Sequence, residues 1–196
     1  MVNDKYGYAI GRIRALETKM LDEARLVRMA DAHDFQSAFS VLNETAYAGH
    51  MQQMEHPFDF EELIEMEMTE TRKFLRSMAG GSQDMKELLE GSLRSSKDPF
   101  LKEIIKMSGD NKKKKLAMRK EGAATTSNAA EEEKAMDDRL IDLVKRGRYM
   151  SFGIHPLLAF WMAKMIEVKD LRFVLVCKKN GVGTEEIKKR IRRTYV

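Results

Sequence analysis

The sequence is poor in several residues that mark particular protein classes. It has one cysteine, Cys177, which excludes an internal disulfide framework and fits a reducing compartment. Three prolines in 196 residues, beside abundant Leu, Met, Glu, Lys and Arg, disfavour a strand-rich sandwich and favour helices. The N-terminal Met1-Val2-Asn3-Asp4-Lys5 lacks the apolar stretch of a signal peptide. The longest apolar run near the C-terminus, Pro156 to Ala163, is too short to span a bilayer and leads into Lys164, Glu167, Lys169, Asp170 and Arg172. The chain is therefore expected to be soluble by itself. A phosphate-binding P-loop is also missing.

What is present is 43% hydrophobic and 34% charged, the balance of a core-forming helical protein. Fifteen methionines suit irregular gaps between helices or adaptable surfaces. The net charge is +4, unevenly spread. Glu55 to Glu70 holds seven acidic residues and no Lys or Arg, whereas Lys188 to Arg193 holds five basic residues in six. Such blocks are solvated faces or docking surfaces for partners of opposite sign.

Apolar spacing predicts a helix from Tyr6 to Met29 and a second one capped by Asp34 and ending near Thr45-Ala46-Tyr47. Asp59 and Glu62 form a capping-box pattern, with Phe58 and Leu63 at the staple positions, for a helix reaching Met78 before Gly80-Gly81. Asp84 to Leu93 reads as a short helix. Asp98-Pro99 starts another, which Gly109 interrupts. The run Lys112 to Lys115 and the stretch Gly122 to Ala130 lack an amphipathic period and read as a linker or frayed helix end. Helix resumes from Glu131 to Tyr149, with Gly147 near its end. Pro156 to Lys179 forms a long helix, apolar on more than one side, which suggests burial. Thr184 is the expected cap of a last basic helix running to the C-terminus.

Chemistry-bearing patterns are weak. His33, His50, His56 and His155 fall in no metal-binding frame, and no metal or cofactor is expected. His155 precedes Pro156 at a helix start, a structural place. Cys177 follows Phe173-Val174-Leu175-Val176 with no histidine nearby and reads as an inert thiol. Glu61, Glu62, Glu65, Glu67 and Glu70 are spread over a helical face that is expected to be solvated. Gly181-Val182-Gly183-Thr184 is a turn. No catalytic residue is proposed from these patterns.

Three stretches carry a family likeness. They are Tyr6-Gly7-Tyr8-Ala9-Ile10-Gly11-Arg12-Ile13-Arg14-Ala15-Leu16-Glu17 through to Leu42-Asn43-Glu44-Thr45-Ala46-Tyr47; Asp98-Pro99-Phe100-Leu101-Lys102-Glu103-Ile104-Ile105-Lys106; and Phe152-Gly153-Ile154-His155-Pro156-Leu157-Leu158-Ala159 with Glu167-Val168-Lys169-Asp170-Leu171-Arg172 and Arg190-Ile191-Arg192-Arg193-Thr194-Tyr195-Val196. In these the chain resembles the C subunit of archaeal- and bacterial-type V/A-ATPases, the homologue of the eukaryotic V-ATPase d subunit. The middle departs from the family. The family's central Asp-x-x-Asn-Ile-Lys-like segment appears only in degraded form as Asp110-Asn111-Lys112-Lys113, and Met165 occupies a position where an acidic residue is expected.

The resemblance implies an all-α fold of helical modules, fewer than the family's three. It suggests an N-terminal module over 1–93, a shortened middle and linker over 94–134, and a C-terminal segment over 135–196 packing back on the first. It implies a non-catalytic central-stalk adaptor, peripheral on the cytoplasmic face of the membrane. Its partners would be the rotor-ring subunit and the central-stalk subunits of an ATPase that moves protons or sodium or makes ATP. The residues of the protein interface stay unassigned at this level. The alternative reading is a small basic helical nucleic-acid binder using Lys112 to Lys115 and Lys188 to Arg193.

Overall fold

The computed structural model describes residues 7–78, 99–120, 127–150 and 154–196, and these contain helices and no strand. The helices are α1 Gly7–Glu17, α2 Glu23–Asp31, α3 Phe35–Ser40, α4 Ala48–Met51, α5 Phe60–Met78, α6 Pro99–Lys120, α7 Ser127–Gly147, α8 His155–Lys179 and α9 Thr184–Arg190, with a 3-10 turn at Val41–Glu44. The expected short helix from Asp84 to Leu93 lies outside the described residues, as does Gly80-Gly81.

The fold is organised around α8. Fourteen of its 25 residues are buried, all round its first turns and on all but the stripe of Trp161, Met165, Lys169, Arg172 and Val176 beyond them, so it lies between other helices. Its first half joins Ala9 and Ile13 of α1, Leu75 of α5, Ile104 of α6 and Ile141 and Val144 of α7 in one core. Its second half joins Leu26 and Met29 of α2, Phe39 of α3, Leu63 and Met68 of α5 and Ile187 of α9 in another. Trp161 borders both cores. Helix α5 is long enough to serve both, burying Phe60, Leu63, Ile64, Met68 and Leu75 along one stripe.

Two glycines matter to this packing. A Cβ at Gly147 would lie 2.6 Å from the Ala159 Cβ, so its absence lets the end of α7 approach α8 closely. Gly181 takes φ +68 just after α8. There Val182 N donates to the Cys177 carbonyl and Gly181 N to that of Lys178, a Schellman ending that glycine allows without steric cost.

Several expectations hold. Asp34 accepts from Ser37 N as the α3 cap, Pro99 opens α6, and Gly147 closes α7. Others are corrected. The stretch Tyr6 to Met29 is not one helix. Asp22 accepts from Arg25 N and starts a new helix at Glu23, while the chain between α1 and α2 is held by Leu21 N donating to Glu167 Oε2. Asp59 caps α5 by accepting from the Glu61 and Glu62 amides, but the Glu62 carboxylate accepts from Glu55 N and His56 N, outside a capping box. Helix α6 runs through Gly109 and the lysine run to Lys120; a lone glycine costs a helix only about 1 kcal/mol. Helix α7 already begins at Ser127, inside the expected linker. Gly183, not Thr184, is the cap of α9, and the Thr184 hydroxyl instead donates to the Ala30 carbonyl. That helix stops at Arg190, and residues 191–196 leave helical geometry.

Candidate functional site

The chemistry of the described residues is concentrated in charges buried along α8. Lys164 is only 2% exposed, and its ammonium lies 2.6 Å from Glu67 Oε1 and 2.7 Å from Glu167 Oε1. Tyr47, fully buried, donates its hydroxyl to the same Glu167 oxygen at 2.7 Å. His50 Nε2 lies 3.0 Å from Glu67 and 3.2 Å from Glu70. Burial alone would lower the Lys164 pKa, but Glu167 and Glu67 more than offset it and hold the ammonium charged. Burial and the same two carboxylates push the Tyr47 phenol well up, so it stays a donor. Glu67 was expected on a solvated face. It sits instead on the buried stripe of α5, one turn after Leu63, because Lys164 supplies its counter-charge. Removing one member of such a buried pair costs about 3–5 kcal/mol, because the other charge is left uncompensated.

A second cluster holds the chain end. Arg192 donates through Nε to Asp137 Oδ2 at 2.7 Å and through Nη1 to Asp170 Oδ1 at 2.9 Å, joining α7 to α8. Arg193 pairs with Asp142, and Lys188 with Asp31 at 2.6 Å. Tyr195 donates to the buried Glu17 of α1 at 2.8 Å, and Arg14 bonds the same carboxylate. Of the five basic residues from Lys188 to Arg193, Lys188, Arg192 and Arg193 are thus engaged within the chain.

The other candidates are scattered. His33 lies beside Asp34, His56 beside Glu62, and His155 against the Phe100 ring. Burial pushes the Cys177 thiol up, and the charged groups acting on it are Arg190 and Glu186, not a histidine. Among the described residues, no three His, Cys, Asp or Glu side chains are placed to hold a metal ion, and no helix is long and apolar enough to cross a membrane.

Two open grooves flank α8. One, of about 450 Å³, runs between α6 and α8 over α7 and is lined by Asn111, Lys112, Leu140, Trp161, Met162 and Met165, among others. The other, of about 400 Å³, is lined by Arg12, His50, Glu70, Phe74, Phe160 and Lys164, among others, and in it Arg12 lies over the Phe74 ring at 4.8 Å. The first is a surface for contact, whereas the second borders the ion-paired cluster of Lys164, Glu67, His50 and Glu70. Sequence reasoning found neither, because each is made by helices distant in the chain.

No solved structure matches the chain. The C subunit of the V-type sodium ATPase of Enterococcus hirae is 39% identical over 59 residues, which is 30% of this chain and 18% of that protein. The aligned stretch thus spans less than a fifth of that relative. The family model described as ATP synthase (C/AC39) subunit matches residues 9–95 and 93–190, nearly the whole length. With its all-helical fold, the chain belongs to the ATP synthase (C/AC39) subunit family.

Proposed function

We propose that the chain is a non-catalytic adaptor in the central stalk of a rotary V/A-type ATPase. It would join stalk subunits to the membrane rotor ring and sit peripherally on the cytoplasmic face. The observation that carries this reading is the family match across residues 9–95 and 93–190. The structure suits the task. A torque-bearing part needs stiffness, and α8 is one unbroken helix of 25 residues, about 37 Å long. It is clamped by cores on both halves and pinned by Lys164 to Glu67 of α5 and by Asp170 to Arg192.

The experiment is assembly of the ATPase of the same organism with and without this chain. The purified chain is expected to bind both the rotor-ring subunit and the central-stalk subunits. Omitting it should abolish ATP-driven ion transport into vesicles while the catalytic head still hydrolyses ATP. Binding to neither partner, or full transport without the chain, would sink the reading.

A further inference from the structure

We propose that the groove between α6 and α8 is a docking surface for an acidic amphipathic helix of a partner protein. The surface is apolar below and basic at its rim. Leu140 and Ile166 are buried in its floor, Trp161 and Met162 are half-buried along it, and Met165 is 37% exposed. Met165 is one of few large apolar side chains this exposed among the described residues. Methionine and tryptophan together suit recognition of apolar side chains from a partner.

The geometry selects a helix. Trp161, Met165 and Lys169 follow one another at four-residue steps on α8 and span about 12 Å, two helical turns. On the α6 wall Asn111 donates to the Met136 carbonyl at 3.1 Å, which ties that wall to α7 beneath the groove. A helix laid along such a trough offers apolar residues at i, i+3 or i+4, and i+7 to the floor.

The charge selects the partner. Lys112, Lys113 and Lys114 are exposed along α6, and Lys112 lines the groove itself. On the α8 side Lys169 is half-exposed, 3.6 Å from Asp137. Acidic residues flanking an apolar stripe would meet these lysines. A nucleic acid fits poorly, because Trp161 is the chain's only tryptophan and stands alone in the groove as a stacking surface. A second copy also fits poorly. Among the described residues, the acidic helices α5 and α7 already bury their apolar residues in the chain's own cores. The inference does not depend on which complex the chain serves.

The test uses the whole chain and a phage-displayed library of surface-randomised helical peptides that lack tryptophan. Enriched peptides should carry apolar residues at i, i+3 or i+4, and i+7, flanked by Asp and Glu. Binding should blue-shift the emission of Trp161, which reports occupancy of the groove without a label. Met165→Glu should raise Kd at least about tenfold. Lys112→Glu should weaken acidic peptides and favour peptides remade with lysine flanks. Both positions are exposed, and circular dichroism checks that the fold is kept. Binding should also weaken as salt is raised. Four results would overturn the proposal: no enrichment, enrichment of neutral or basic flanks, binding indifferent to Met165→Glu, and self-association of the chain that Met165→Glu abolishes.

Discussion

Asp170 shows how much one side chain can depend on its surroundings. It lies on α8 facing Arg192, with Asp137, Glu133 and Lys169 close to the same guanidinium and carboxylates. Burial, with a smaller push from Asp137, raises its carboxyl from 3.8 to about 6, although Arg192 pulls the other way. A carboxyl whose pKa is raised on folding stabilises the fold while protonated. Its contribution is therefore complete below about pH 3.8 and is lost as the pH climbs through about 6. Asp170→Asn removes that loss. The stability difference between the variant and the unsubstituted chain should move by on the order of 2–3 kcal/mol in the variant's favour from about pH 4 to pH 7, whatever the fixed cost of losing the charge facing Arg192, as measured by urea unfolding across that range. A difference that stays flat with pH would show that Asp170 does not titrate there. The sequence offered a sign of this site, since Lys164, Glu167 and Asp170 interrupt a helix apolar on more than one side. Their partners were not legible: Tyr47 is 120 residues from Glu167, and Asp137 is 55 from Arg192.

At the scale of elements, the meeting of α7 and α8 is set by a missing side chain. A methyl at Gly147 would fall 2.6 Å from Ala159 Cβ and 3.2 Å from the Phe100 ring. Gly147→Ala should therefore force the helix ends apart and cost about 1–3 kcal/mol in urea unfolding. Gly11, in the middle of α1, has nothing within 4 Å of the place a methyl would take. Gly11→Ala is the control, and should stabilise by about 0.5–1 kcal/mol through helix propensity alone. Equal effects at the two sites would remove close packing as the reason. The stripes of α5 and α8, the Pro99 start and the Asp34 cap were readable because each depends on residues within a turn or two. The break between α1 and α2 was harder to see. It is held by Glu167, which accepts from Leu21 N across 146 residues.

For the molecule as a whole, residues 191–196 connect parts far apart in the chain. Arg192 joins α7 to α8, Tyr195 reaches α1, and Ile191 enters the core beside α9. Removing 191–196 takes away the Arg192 guanidinium between two buried carboxylates and the phenol on Glu17. The expected cost is about 3–5 kcal/mol, with faster amide exchange in α1 and α7 as the companion signal. An unchanged urea midpoint would mean that the tail merely rests on the surface. The family match and the all-helical body describe the molecule at this same scale, and both were anticipated by the residues from Tyr6 to Tyr47 and from Phe152 to Val196.

The amino-acid sequence by itself determined where most helices run, that α8 is buried, and to which family the chain is related. These follow from spacing, caps and local motifs, which need only neighbours along the chain. The tertiary structure alone decided which charges are buried, that the basic end abandons helix after Arg190, and that two grooves open beside α8. A buried charge is tolerated only where its counter-charge arrives from elsewhere in the fold, and a groove exists only where distant helices fail to meet. Neither condition is written in any local stretch of residues.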